Sequence, residues 1–196
     1  MFALIKVDMQ KDFALPSGSL YVPGGEEIIL PLQKLVKEAY SYKLVVVSTA
    51  DIHHYPDPES VEGGGPWPSH CIAGSEGALI VPELLPKFHL GEILIFKGTF
   101  QYSAFTPEKN NKSYLAQLLL ERGVKRIYLT GLALDYCVGE TALDGVKEGF
   151  EVYVIKELTR AVSKEGEDRI LARFKEVEVK VIDTTEAIKH WKGELS

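Results

Sequence analysis

The chain has 196 residues, 45% of them hydrophobic and 26% charged, which suits one compact α/β domain over residues 1–196 with a sizeable core. Its net charge of −6 argues against a nucleic-acid binder, which would present a basic face. No apolar run approaches the roughly 20 residues needed to cross a bilayer, and MFALIKVDMQ has neither a basic leader nor a small-residue cleavage site, so the expected location is the cytoplasm.

Strand and helix patterns alternate along the chain. Residues 2–9 (FALIKVDM) form an apolar strand, and 26–42 carry helical spacing through Ile28, Ile29, Leu32, Leu35, Val36 and Ala39. KLVVVST (43–49) and EILIFK (92–97) are the second and third strands. Between them, 50–91 is a long Gly- and Pro-rich connection, a length that in a compact domain usually marks function. A helix over 111–122, a strand over 124–131, a helix over 137–149, a strand over 150–155, a helix over 163–175 and a strand over 177–183 follow. This order predicts a three-layer α/β/α, doubly wound fold with a mainly parallel six-stranded sheet.

Ligands of such sheets bind beyond the carboxyl ends of the strands, and the chemically distinctive residues fall there. Asp8 closes the first strand, Asp51 and His53 follow the second, Lys97 closes the third, and Cys137 opens the helix after the fourth. Taken alone, Asp8 reads as a turn or capping aspartate and Lys97 as a surface lysine at a strand end. Cys137 alone is equally well a small buried hydrophobe. Together they make an acid, a base-holding lysine and a nucleophile. A thiol in a helix's first turn also feels the positive end of the dipole, which favours thiolate. The second cysteine, Cys71, is expected to be a free thiol, since a disulfide is unexpected in a cytoplasmic chain.

Asp51-Ile52-His53 and the distant His70 can converge on one metal ion, with His54 as the adjacent alternative ligand. The plainer reading of each histidine is a loop side chain bonded to backbone. His89 and His190 lie away from these motifs and read as non-functional. Phe13, Trp67 and Tyr102 sit in loops beside the candidates, where aromatic walls would stack on a flat substrate.

VDMQKDF (7–13), TADIHHYP (49–56), GGPWPSHCIAGSEGA (64–78), FKGTFQYSAF (96–105) and GLALDYCVGETALDG (131–145) occur in an order that resembles the nicotinamidase/pyrazinamidase branch of the isochorismatase-like cysteine hydrolases. The resemblance implies a catalytic triad of Asp8, Lys97 and Cys137, and one divalent metal ion on Asp51, His53 and His70. Zinc is the first choice, with iron and manganese as alternatives. It also implies Phe13 and Trp67 around a pyridine ring, with Tyr102 a looser match. A cis peptide between Leu132 and Ala133 would aim the Ala133 N–H, with that of Cys137, into an oxyanion hole. The implied reaction is hydrolysis of nicotinamide to nicotinate and ammonia through a Cys137 thioester, a step of NAD salvage. The implied partner is this small molecule, not a nucleic acid or a membrane, and a homo-oligomer remains open. Isochorismatases and N-carbamoylsarcosine amidases share the triad but generally lack the D-x-H…H set. One departure is Ile52-His53-His54, where relatives often show Trp-His-Pro. Two alternatives stay open. One is a related cysteine amidohydrolase for another small amide. The other is a metal hydrolase whose metal-bound water attacks, leaving Cys137 as packing.

Overall fold

The computed structural model describes residues 1–106 and 113–195. Strands β1 (Phe2–Val7), β2 (Val45–Asp51), β3 (Ile93–Lys97), β4 (Arg126–Leu132), β5 (Glu151–Arg160) and β6 (Lys180–Ile182) pair in the order β3-β2-β1-β4-β5-β6. Every neighbouring pair is parallel, as expected where helices cover both faces. The helices are α1 (Lys11–Ala14), α2 (Ile29–Ser41), α3 (Tyr114–Glu121), α4 (Cys137–Lys147), α5 (Lys164–Glu176) and α6 (Thr184–Lys192).

Alternation along β1 explains the layering. Leu4 joins the core beneath α2 and α6, with Leu32, Leu35 and Trp191. Ala3, Ile5 and Val7 join the opposite core, with Leu115 of α3, Val138 of α4 and Phe174 of α5. Side-chain oxygens cap three helices: Ser113 accepts from the Ala116 N–H, Ser163 from Gly166 and Asp183 from Glu186.

The predicted elements are present with shifted edges. Residues 111 and 112 of the helix predicted over 111–122 lie outside the described residues. Strand β5 runs to Arg160, because an irregularity opposite Leu129 to Gly131 lets the polar KELTR half rejoin β4. Helix α6 was not expected. Its signals were the Asp183–Glu186 cap and the left-handed Gly193 that ends it. His190 packs there against the stacked Tyr128 and Tyr153 rings.

Lys6 breaks the apolar run of β1. Its ammonium lies 2.6 Å from Glu92 Oε1, both side chains buried, and donates to the Leu84 carbonyl at 3.0 Å. Glu92 also accepts from Ser48 Oγ at 2.6 Å, from the Lys87 N–H at 2.9 Å and from the Tyr40 hydroxyl. Four segments thus meet on one carboxylate. Lys6→Met strands that charge, so a urea titration should show a loss of about 3–5 kcal/mol. Lys6→Met with Glu92→Gln should lose less than the sum of the single changes.

Candidate active site

The chain reverses its winding between β1 and β4. Helix α2 leaves one way and α4 the other, so a crevice opens above the carboxyl ends of the strands. Gly131 lets β1 and β4 approach below it: φ is +99°, and a Cβ there would lie 2.1 Å from the Val7 carbonyl oxygen.

Asp8, Lys97 and Cys137 meet at this crevice. The Lys97 ammonium lies 2.7 Å from Asp8 Oδ2, 3.0 Å from Asp51 Oδ1 and 3.5 Å from Cys137 Sγ. One oxygen of Asp8, one of Asp51 and the Cys137 sulfur all lie within 4.8 Å of one another. Thr49 Oγ1 donates to Asp8 Oδ1 at 2.5 Å and accepts from the Asp8 N–H at 3.1 Å. Asp51 and Lys97 are direct partners in the β2–β3 ladder, which holds their side chains together.

Burial works against every charge in this group. It pushes the Asp8 carboxyl above its usual range, with Lys97 opposing and Asp51 adding to the rise. It pulls on Lys97 too, but Asp8, Cys137 and Asp51 outweigh it and hold the ammonium charged. The Cys137 thiol is pushed well up, by burial first, with Lys97 opposing and Asp8 and Asp51 adding to the rise. Desolvation and two carboxylates thus oppose the thiolate that the helix start favours. Cys71 is fully buried and its thiol is likewise raised, so it has no thiolate character.

Asp51, His53 and His70 offer three buried ligand atoms within 4.8 Å of one another, a set that suits a divalent metal ion. The histidine hydrogen bonds fit this. His70 Nδ1 lies 2.8 Å from the Pro68 carbonyl, an acceptor only, so its Nε2 is left with a free lone pair. His53 Nε2 is buried without a hydrogen-bond partner and sits 3.6 Å from Asp51 Oδ2. Burial opposes ionisation of Asp51, yet Lys97 and His53 hold it below the usual carboxylate range. His54 is exposed and stands outside the group, as does His89.

A cleft of about 520 Å³, open mouth included, joins both groups. Phe13, Trp67 and Tyr102 all line it, together with Ala133 and Cys137. The Leu132–Ala133 peptide is cis. The Ala133 carbonyl accepts from the Tyr136 and Val138 N–H groups at 3.1 and 3.0 Å, pinning the turn before the thiol. Sequence reasoning missed three residues. Tyr136 lines the cleft with its ring centroid 5.1 Å from that of Trp67, and its adjacency to Cys137 was the available signal. Glu59 also lines the cleft, but its DPES context reads as an ordinary polar turn. Buried Gln10 brackets Asp51, accepting from its N–H at 2.6 Å and donating to its carbonyl at 2.8 Å.

The family described as Isochorismatase domain matches residues 2–186. The nicotinamidase/pyrazinamidase of Mycobacterium tuberculosis is 34% identical, over 93% of this chain and 98% of its own. The crystal structure of the pyrazinamidase of Pyrococcus horikoshii in complex with zinc superposes with a TM-score of 0.83 and 38% identity, covering 93% of this chain and 98% of that one. The crystal structure of PnC1 from L. infantum in complex with nicotinate gives 0.81 and 35%, covering 94% of this chain and 93% of that one. The chain belongs to the isochorismatase family.

Proposed function

We propose that this protein is a nicotinamidase, an amidohydrolase that converts nicotinamide to nicotinate and ammonia and so serves NAD salvage. The observation that carries the reading is the meeting, on one aromatic-walled cleft, of the Asp8–Lys97–Cys137 group with the Asp51–His53–His70 group. Relatives described as nicotinamidases and structures containing zinc or nicotinate support it.

Asp51, His53 and His70 would hold the metal ion, zinc by preference. When bound, it supplies a Lewis acid that orients the ring nitrogen and draws electron density from the amide carbon. Phe13 and Trp67 would flank the ring, with Tyr102 bracing the wall through its hydroxyl, which accepts from Trp67 Nε1 at 3.1 Å. Asp8, with its proton affinity raised by burial, accepts the Cys137 proton as sulfur attacks the carbonyl carbon. The Ala133 and Cys137 N–H groups receive the oxyanion; the latter, at the start of α4, has no intrahelical acceptor. The C–N bond then breaks as Asp8 returns the proton to nitrogen, releasing ammonia and leaving a thioester. Water attacks that thioester and gives a proton to Asp8. The C–S bond breaks, Asp8 returns that proton to sulfur, and nicotinic acid departs, giving its own proton to solvent as nicotinate. Lys97 offsets the negative charge that moves between Asp8 and Cys137.

The direct test is ammonia release from nicotinamide by wild-type protein with and without a chelator. Activity should fall to background on chelation and return with zinc. His53→Ala should bind little metal and show little activity in either condition. Metal-loaded wild type that leaves nicotinamide intact would sink the reading, and a panel of small amides would then identify the alternative substrate.

A further inference from the structure

The metal histidines are backed in two different ways. His70 is oriented by a backbone carbonyl. His53 faces carboxylates: Asp57 Oδ2 lies 3.0 Å and Glu59 Oε2 3.8 Å from its Nδ1, close charge contacts without an aligned hydrogen bond. Asp57 is 1% exposed and Glu59 4%. Acids buried so completely are almost always paired. Their oxygens also hold other groups. Asp57 Oδ1 accepts from the Glu59 N–H at 3.1 Å, which closes the turn. Glu59 Oε2 accepts from the Phe100 N–H at 2.6 Å, and Glu59 Oε1 from the Tyr102 hydroxyl at 3.3 Å. That hydroxyl holds Trp67 Nε1.

From these contacts we infer that Asp57 and Glu59 are positioning residues: Asp57 fixes the His53 ring with Nε2 toward the metal, and Glu59 joins that histidine to the Tyr102–Trp67 wall. A carboxylate on Nδ1 selects the tautomer that frees Nε2 and makes it a better donor. The short segment 57–59 therefore supports the metal group on one side and the ring-binding wall on the other.

Zinc affinity, read by competition with a chromophoric chelator in the absence of substrate, tests the first half. Asp57→Ala should lose about 10–100-fold, and Asp57→Asn, which keeps an acceptor without the charge, should fall between it and wild type. Two Asp57 variants that both hold zinc within about twofold of wild type would show the inference to be wrong. The second half rests on the nicotinamidase reading. Glu59→Gln at saturating zinc should raise KM for nicotinamide several-fold and leave kcat within about twofold, and Tyr102→Phe should raise KM without weakening zinc. No KM change in either variant overturns the coupling. Wild type that binds zinc but spares nicotinamide overturns the proposed reaction alone. Wild type that binds no zinc overturns the inference together with the metal assignment.

Discussion

Cys137→Ala is expected to abolish ammonia release from nicotinamide, by at least about 10⁴-fold, while the fold and the metal content stay as in wild type. The size follows from the chemistry, because without sulfur there is no thioester and the two-step route closes. The fold should survive because the change removes one small group, 7% exposed, from the crevice floor and leaves the Asp8–Lys97 pair at 2.7 Å in place. Metal content should hold because Cys137 is not in the Asp51–His53–His70 group. The measurement also separates two chemistries. If a metal-bound water were the nucleophile, the alanine variant would keep substantial turnover. Alkylation gives an independent reading. Cys71 is sealed at 0% exposure with its thiol pushed up, so loss of activity should track label on Cys137 alone.

Lys97→Met should be the most damaging single change to the site as a body. The ammonium, 2% exposed, is the one cation bonded to both Asp8 and Asp51 among the described residues. Without it two buried carboxylates face each other within 4.8 Å. Stranding buried charge costs about 3–5 kcal/mol, a fall on the order of 10 °C in Tm for a domain of this size. The cost depends on pH with a definite sign. Removing the cation lifts the folded-state pKa of both acids, Asp8 further above its unfolded value and Asp51 up from below it. Such a group is destabilising when ionised and ceases to be so once protonated. The gap between metal-free wild type and variant should therefore be wide at about pH 8 and shrink toward about pH 5. A gap that stays constant over that range would count against charge as the cause.

Much of this arrangement was legible in the sequence because the strands announce themselves. Mostly apolar runs located the first five and the alternating VEVKVID the sixth, and the rule that parallel sheets bind ligands at their carboxyl ends brought Asp8, Lys97 and Cys137 to one rim. What escaped was settled by packing. Helix α6 lacks a long apolar period, and its Ala187 and Trp191 find their core only once β4 and β5 are in place. The helix position of Cys137 favours thiolate, but only the folded site shows it enclosed with two carboxylates. The Asp51–Lys97 contact depends on the β2–β3 register, which no local pattern encodes. Gln10, Asp57 and Glu59 act through neighbours about 40, 4 and 6 or more positions away, and nothing in their own surroundings marks them.

Asp51 gives one oxygen to Lys97 and turns the other toward His53. A single carboxylate is thus common property of the sulfur-holding set and of the set proposed to hold the ion, and the two are expected to behave as one thermodynamic system. Whatever charge density an ion draws from Asp51 is lost to Lys97, whose hold on the thiol changes with it. Reciprocity then applies in full: a reagent that caps Cys137 must alter the protein's grip on the ion by the same factor that the ion alters capping at equilibrium.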